Sequence, residues 1–149
     1  MKKKARRETV EYRYYEMPSD IPVLALLGES WIHSYGDQGR DALHFHNHLE
    51  IGYCYEGYGT LVIEEQATRY QTGTYSVIPH NICHTTVSDG GMLCRCEYLF
   101  VDVDSFLQAI YPNDQRFAER LAELINQHPL VGGMQDNPRI AQLILSLID

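Results

Sequence analysis

The chain has 149 residues, of which 44% are hydrophobic, and its formal net charge is −8 at pH 7. This length fits one domain with one core, and no apolar run approaches the ~20 residues of a membrane-spanning helix. The acidic balance argues against nucleic-acid binding by the domain itself, because phosphate groups require a positive surface. We therefore expect a cytoplasmic domain without a membrane partner.

Residues 1–8 form a basic tail. The segment "MKKKARR" holds five of the twelve Lys and Arg residues and no acid, which leaves seven basic and twenty acidic residues, a charge of −13, for the rest. Polar residues follow this segment, so it lacks the apolar stretch of a secretory signal. Such a tail is typical of a solvated terminus, with contact to DNA as the alternative.

Residues 9–104 predict short strands separated by turns, an arrangement typical of a β-sandwich or a small barrel. The sequence Gly57-Tyr58-Gly59 predicts a hairpin turn between two of these strands. The predicted strands lie in the runs "VEYRYYE", "PVLALLGES", "WIHSYG", "LHFHNH", "EIGYCYEG", "YGTLVIEEQ", "ATRYQTG", "TYSVIPH", "CHTTVS" and "MLCRCEYLFVDVD".

Residues 105–149 predict two or three helices. A short helix in "DSFLQAIY" is broken at Pro112, a second follows in "DQRFAERLAELINQH", and Gly132-Gly133 predicts a loop. The last segment, "NPRIAQLILSLID", begins with Asn137 as a cap and Pro138 in the first turn. An apolar stripe repeats along it at intervals of three and four, and consists of Ile140, Leu143, Ile144, Leu147 and Ile148.

The four cysteines, Cys54, Cys83, Cys94 and Cys96, lack the spacing of a zinc ribbon. Cys94 and Cys96 alternate, so on a strand they share a face. We interpret the cysteines as reduced thiols in the core, with a redox or metal role as the alternative.

The stretch "LHFHNHLEIGYCYEG" places His44, His46, His48 and Glu50 on alternate positions. Residues two apart on a strand share a face, so His44 and His46 point the same way. If the chain turns at 47–49, Glu50 begins a neighbouring antiparallel strand beside them. The open alternatives are an exposed polar strand face and a site that holds a metal or a polar molecule, since buried polar groups require partners.

A second stretch, "GTYSVIPHNICH", favours the site. It spaces Gly73, Pro79 and His84 along a strand and a turn. The turn at 79–81 would return His84 to the interior of a barrel.

These two stretches resemble the cupin superfamily. His44, His46, Glu50 and Gly57 fit the spacing of the first cupin motif. That motif usually has a glycine before its first histidine, and Gly39, if it is that glycine, is offset by one position. The second motif is similar to Gly73, Pro79 and His84. Asn81 stands for the second glycine of that motif, which is acceptable because Asn tolerates a left-handed backbone. Ser88 stands for its closing Asn. The resemblance implies a mainly β fold, a cupin-like double-stranded β-helix or jelly-roll barrel followed by two or three C-terminal helices.

The resemblance also implies a metal set of His44, His46, Glu50 and His84. Three imidazoles and one carboxylate suit divalent Fe, Mn, Ni or Zn. Direct binding of an organic effector by the same four side chains is the alternative. We predict Trp31 and Tyr53 as further ligand-binding residues on a pocket wall, with core packing as their alternative role. His48 is placed at a turn or pocket rim, and His33, His80 and His128 are interpreted as structural or solvated.

Most of residues 9–104 resembles the N-terminal effector-binding domain of AraC-type bacterial transcriptional regulators. The similarity lies in a series of short patterns that follow one another along the chain: H-x-H, then E-I-x-Y, then G-x-G-x-L, then I-P, and finally a histidine. It implies that the barrel binds a small polar effector, sugar-like in many members, and that residues 105–149 form a homodimer. DNA would be contacted only by a helix-turn-helix domain that is expected downstream and is absent from this chain.

Two other functions remain open from the sequence. A stand-alone metal-dependent cupin enzyme, such as a dioxygenase or a sugar isomerase, would use the same four ligands, but no additional general base is evident, so we do not predict an enzyme. The second is a metal-free structural barrel.

Overall fold

A computed structural model describes residues 9–36 and 43–149. The predicted basic tail at 1–8 and Gly39 lie outside the described residues. Within these ranges, eleven β-strands are arranged in two sheets that face each other, and three helices cover one of them. This is a cupin-like barrel with helices after it, which confirms the predicted fold class.

The first sheet has the strand order β1-β4-β9-β6-β7, and the second has the order β11-β8-β5-β10-β2, with β3 also paired to β10. The N-terminal strand β1 pairs in parallel with β4, whereas the other pairs are antiparallel. The strands are β1 (Glu11–Arg13), β2 (Val23–Leu26), β3 (Ile32–His33), β4 (His44–His46), β5 (Leu49–Glu56), β6 (Tyr58–Ile63), β7 (Gln66–Gln71), β8 (Tyr75–Ile78), β9 (His84–Ser88), β10 (Cys94–Val101) and β11 (Leu130–Gly132).

The space between the sheets is filled by side chains at alternate strand positions. Its largest fully buried side chains include Ile78 and Cys94. A core cluster in this space consists of Tyr35, Cys54, Leu61, Ile63, Tyr70, Ile78, Cys94 and Cys96. Burial of this kind contributes about 25 cal/mol for each Å² of apolar surface removed from water.

The three helices are α1 (Val103–Ile110), α2 (Gln115–Ile125) and α3 (Pro138–Ile148). Each begins at a capping side chain that accepts a backbone N–H, and these residues are Asp102, Asp114 and Asn137. The helices pack on the outer face of the second sheet. Leu49 lies under α1 and α2, and Leu99 lies under α3.

The apolar stripe of α3 divides between two environments. Ile144 and Ile148 are buried on the outer face of the sheet, and Ile140 packs beside them. Leu143 and Leu147 are 58% and 62% exposed. The stripe therefore supplies both the contact with the barrel and an apolar outer surface.

Two sequence predictions of local structure are wrong. Within the described residues, β5 pairs with β8 and β10 and β6 with β7 and β9, so Gly57 joins strands of different sheets and is not a hairpin turn. Its φ is +103°, and an added Cβ would lie 2.4 Å from Cys94 Sγ. The predicted loop at Gly132-Gly133 contains the end of β11, because pairing of Leu130–Gly132 with β8 fixes a strand that the local sequence does not indicate.

The position of Glu50 also differs from the prediction. Glu50 lies on β5 in the second sheet, whereas β4 lies in the first. The carboxylate therefore faces the histidines across the barrel, and not along one sheet. Among the described residues, no helix is long and apolar enough to cross a membrane.

Candidate functional site

Three histidines and one glutamate meet inside the barrel. His44 and His84 are direct partners on β4 and β9, His46 lies two positions further along β4, and Glu50 projects from β5. Their exposed fractions are 8%, 2%, 0% and 6% in that order. We call His44, His46, Glu50 and His84 the histidine–glutamate cluster.

The ligand atoms of the cluster converge on one point. His46 Nε2 lies 3.1 Å from Glu50 Oε2 and 3.3 Å from His84 Nε2, and His84 Nε2 lies 3.5 Å from the same carboxylate oxygen. One ligand atom from each of the four residues lies within 4.8 Å of all the others. The structure thus brings together all four residues that the sequence singled out as metal ligands.

The backbone fixes the orientation of two of the rings. The Nδ1 of His46 lies 2.8 Å from the carbonyl oxygen of His48, and the Nδ1 of His84 lies 2.8 Å from that of Ile82. A carbonyl oxygen only accepts, so each Nδ1 carries the proton. Such a partner on the far nitrogen is typical of metal-binding histidines.

The position of the protons on the two rings shows whether the cluster fits a cation. With Nδ1 protonated, both neutral rings direct Nε2 lone pairs toward each other and toward the Glu50 carboxylate. Three acceptor groups with no hydrogen between them repel one another at these distances. An added proton or a divalent metal would remove the repulsion, and the imidazole and carboxylate donors suit Fe, Mn, Ni or Zn. The residues present therefore fit a metal.

The ionisation of the cluster follows from its burial and its charges. Burial opposes ionisation of Glu50, yet imidazoles that carry the added proton outweigh it: the charge of His84 and the hydrogen bonds that His46 and His84 then donate lower the pKa of the carboxyl well below its usual range. Burial likewise opposes the charge of His84, but the neighbouring Glu50 outweighs it and raises the pKa of that imidazole. The site therefore holds a negative charge that stabilises a cation beside it.

A cavity of about 60 Å³ lies against the cluster, and His44, Glu50 and His84 form part of its wall. We call it the site cavity. This volume accommodates roughly four water molecules. Most of the remaining wall consists of aromatic rings, from Tyr15, Trp31, His33, Tyr35, Tyr98 and Phe100.

The structure places the two predicted wall residues differently. Trp31 borders the site cavity, and its ring meets that of Tyr98 edge-on at 6.0 Å between centroids. Tyr53 does not border the site cavity; it packs against the apolar cluster beneath α3 and also borders a second, smaller cavity. It stands on β5 between the inward positions Gly52 and Cys54, so the alternation of the strand turns it away from the histidines. Its placement corresponds to the alternative role of core packing.

The N-terminal segment supplies wall residues that sequence reasoning missed. Tyr15 stacks on Phe100 with 4.0 Å between ring centroids, and the Asn47 side chain holds the Tyr15 backbone through both its oxygen and its nitrogen. His48 Nε2 donates to the Tyr15 carbonyl at 3.1 Å, and His48 lies in the bend between β4 and β5, which corresponds to the predicted turn. Burial is the main cause that raises the pKa of the Tyr15 phenol, and the Glu50 charge adds to it.

Some of the missed residues had a sequence signal and others had none. Tyr98 and Phe100 alternate with Cys96 in "CRCEYLF", so an inward assignment of Cys96 would have found both. Arg13 and Tyr15 had no such signal, because their position depends on the parallel pairing of β1 with β4. Of the other histidines, His80 and His128 are exposed, as predicted, whereas His33 lines the site cavity.

A buried carboxylate supports the Trp31 wall. The Gly28 N–H donates to Glu97 Oε1 at 2.9 Å, and Arg95 donates to the same oxygen from two nitrogens at 2.7 and 3.1 Å. Gly28 opens the single helical turn that carries Trp31. Glu97 therefore fixes one side of the site cavity without lining it.

The family model of the AraC-like ligand-binding domain matches residues 27–149. The chain belongs to this family. No curated relative matches the chain. This AraC-like domain shares its fold with ToxT from Vibrio cholerae, which has a TM-score of 0.52 at 10% identity over 85% of this chain and 46% of ToxT. The chain thus spans about half the length of ToxT.

Two other solved structures have weaker similarity to the chain. KdgF from Halomonas has a TM-score of 0.39 at 16% identity, covering 60% of this chain and 90% of KdgF. A variant of the oxalate decarboxylase OxdC from Bacillus subtilis has a TM-score of 0.38 at 17% identity, covering 66% and 32% of the two chains.

Proposed function

We propose that this AraC-like domain is the effector sensor of a transcriptional regulator, and that it binds a small polar molecule in the site cavity, next to a divalent transition metal. The observation that carries the proposal is the convergence of three imidazoles and one carboxylate beside the site cavity. Membership of a ligand-binding family supports the same function. Regulators of this type act in the cytoplasm, where we place the domain.

The metal ligands of the proposal are His44, His46, Glu50 and His84. Backbone carbonyls orient two of the rings before any ion arrives, which reduces the ordering that binding must impose. When bound, the ion would supply Lewis-acid chemistry toward oxygen atoms of an effector. The rings of Trp31 and Tyr98, which line the site cavity, would limit the access of water to it.

The size and wall of the site cavity support a compact polar effector. A volume of about 60 Å³ admits a few non-hydrogen atoms, and a sugar-like molecule of larger size requires Tyr15 to leave its place on Phe100. Hydroxyl groups of such a molecule would find acceptors in the cluster and flat apolar contact on the aromatic rings.

Differential affinity would transmit the signal. The 9–17 segment contacts the barrel through Tyr15, Asn47 and His48, so an effector that displaces or secures Tyr15 changes the population of this arrangement. Only a ligand that binds two arrangements unequally shifts their balance. In a longer protein the shift would reposition a downstream helix-turn-helix domain, which would make the DNA contacts. The reading frame that follows residue 149 in the gene tests this part.

The proposal is tested by metal analysis and a ligand panel. Elemental analysis of the purified protein, followed by thermal unfolding with sugars, polyols and small hydroxy acids, should reveal a bound metal and a stabilising compound. A ligand at 100 times its dissociation constant adds about 2.7 kcal/mol to the free energy of unfolding. The same compound should have no effect on a Glu50→Gln variant and its full effect on a Gln142→Ala variant, in which an exposed helical residue is changed. Absence of stabilisation by every member of the panel, with metal restored, contradicts the proposal.

We also propose that α3 forms the homodimer. Leu143 and Leu147 are exposed side by side on successive turns, and an exposed apolar pair at this spacing is typical of a helix–helix contact. Sedimentation should give a dimer for the parent chain and a monomer for Leu147→Glu. Gln142→Glu on the same helix adds the same charge outside the pair and should stay dimeric. A monomeric parent chain at high concentration contradicts this part.

A metal-dependent enzyme is the second candidate, because the four ligands of the cluster are complete. Metal-dependent turnover of a dioxygenase or isomerase substrate would favour it over the sensor. Effector binding without turnover would exclude it for that compound.

A further inference from the structure

Three thiols lie inside the barrel beyond the histidine–glutamate cluster. Cys54, Cys94 and Cys96 are 4%, 0% and 5% exposed. The sequence pattern grouped Cys94 with Cys96, but the structure places Cys54 directly opposite Cys96 on β5 and β10. Cys54 and Cys96 are therefore cross-strand neighbours, which the spacing of the cysteines in the sequence did not indicate.

The backbone hydrogen bonds place the two side chains as neighbours on adjacent strands, next to an irregularity of the register between Arg95 and Cys96. The Cys54 N–H donates to the Thr74 carbonyl at 2.9 Å, and the Cys54 carbonyl accepts from the Gly73 N–H at 2.8 Å. Both backbone groups of Cys54 thus point away from β10. Toward Cys96 it is a non-hydrogen-bonded pair, in which the Cα atoms of antiparallel partners lie about 4.5 Å apart. That separation lies within the range of a disulfide.

The two thiols have unequal surroundings, and the Cys54 thiol donates to the carbonyl oxygens of Glu56 and Gly57 at 3.5 and 3.8 Å. The hydrogen bond from Cys96 is the main cause that lowers the pKa of the Cys54 thiol, although burial opposes it. The same contact, with burial, raises the pKa of Cys96. Cys94 is engaged elsewhere, because the hydroxyls of Ser88 and Tyr70 lie 3.2 and 3.5 Å from its sulfur.

A second cavity gives small molecules access to the pair. It measures about 30 Å³, and both Cys54 and Cys96 line it. We call it the thiol cavity. It adjoins the site cavity, since Glu50, Thr86 and Tyr98 border both. Its volume corresponds to roughly two water molecules, which is the size of hydrogen peroxide.

We propose that Cys54 and Cys96 form a peroxide-sensitive dithiol that closes to an intrachain disulfide inside the barrel. The Cys54 thiolate attacks one oxygen of a hydroperoxide, the O–O bond breaks, and the other oxygen leaves as water or an alcohol. Cys96 then attacks the sulfenic sulfur of Cys54, and a second water leaves. The two sulfurs are oxidised by two electrons and the peroxide is reduced by two, so the reaction balances.

Closure of this disulfide changes the barrel on which the proposed sensor depends. Cβ atoms of a non-hydrogen-bonded pair lie about 4.5 Å apart, whereas a disulfide prefers about 3.8 Å. Oxidation therefore draws β5 toward β10, and these strands carry Glu50 and Tyr98 of the site cavity. A disulfide under such strain is easily reduced again, which suits reversible regulation.

The test uses the full chain and hydrogen peroxide, and it needs neither metal nor effector, so its failure is distinct from failure of the proposed function. Oxidation should reduce the titratable thiols from the four of the sequence to two, and peptide mapping should find Cys54 joined to Cys96. Dithiothreitol should restore all four. Cys54→Ser and Cys96→Ser should lose the link, while Cys83→Ser and Cys94→Ser should keep it.

Mapping of the unsubstituted chain decides the question even if a core variant fails to fold. A link between any other two cysteines, oxidation of single thiols without a link, or four unchanged thiols at a peroxide concentration that oxidises free cysteine each overturns the proposal. The fluorescence of Trp31, the only tryptophan, provides a second measurement. Its emission should change on oxidation, return on reduction, and stay constant in Cys96→Ser.

Discussion

The two faces of β5 lie in different environments. Its inward positions, Glu50, Gly52 and Cys54, line the two cavities. On the outward face, Ile51 and Tyr53 pack under the helices, and Tyr53 also borders the thiol cavity. The inward face contains a charge, a thiol and a position without a side chain. The outward face is an apolar contact. One strand of eight residues thus supplies chemistry on one side and stability on the other, and substitutions on the two sides should have different kinds of effect.

The largest effect is expected on the outward side. Ile144 of α3 is 4% exposed against this face, so Ile144→Ala should lower the free energy of unfolding by about 2–5 kcal/mol through lost burial and a cavity. Leu147→Ala, at 62% exposure on the same helix, should cost less than about 0.5 kcal/mol in the monomer. Urea unfolding measures both. Equal losses would show that α3 does not pack through Ile144.

The next effect is expected on the inward side, in metal binding and not in packing. His84→Ala removes one imidazole from the cluster, so zinc affinity measured by competition with a chelator should fall at least about 100-fold, a loss of about 2.7 kcal/mol. His80→Ala, an exposed histidine four residues earlier, should retain the affinity of the parent chain. Unchanged affinity in His84→Ala would remove this histidine from the ligand set.

Gly52→Ala tests how tightly the inward face is packed. The new Cβ would lie 2.6 Å from Ser76 Oγ and 3.3 Å from the Tyr98 ring, so the free energy of unfolding should fall by about 1–3 kcal/mol. Adding Ser76→Ala removes the nearest atom and should recover much of the loss. If the double variant is no more stable than Gly52→Ala, the contact with Ser76 is not the cause.

The smallest effect on the free energy of unfolding is expected at the start of α3, the helix that packs on the outward face of β5. Asn137 Oδ1 accepts the Ile140 N–H at 3.2 Å, so Asn137→Ala should cost about 1 kcal/mol in thermal or urea unfolding. Asn137→Asp keeps an acceptor and should stay close to the parent chain. A loss of similar size in both variants would show that the cap does not act through this hydrogen bond.

The difference between the two faces also accounts for which predictions held. Strand alternation, as in β10, and helix caps are local features, so the sequence indicated the strands other than β11 and the starts of the helices. Gly57 was wrong as a hairpin, because a glycine with positive φ serves a turn within one sheet or a passage between two equally well. Tyr53 and Glu50 both lie on β5 but on opposite faces, and the sequence alone does not show which face of the strand points into the barrel.

By itself, the sequence determined the donor types of the site and their spacing, because His44, His46, Glu50 and His84 stand at fixed intervals in the two cupin-like stretches. It also determined the mainly β fold with helices after it. Tertiary structure alone decided that Glu50 meets the histidines across the barrel, that Tyr15 covers them, and that Cys54 faces Cys96. These contacts join residues distant in the chain, and their geometry depends on how the sheets pair and pack, which no local pattern of residues records.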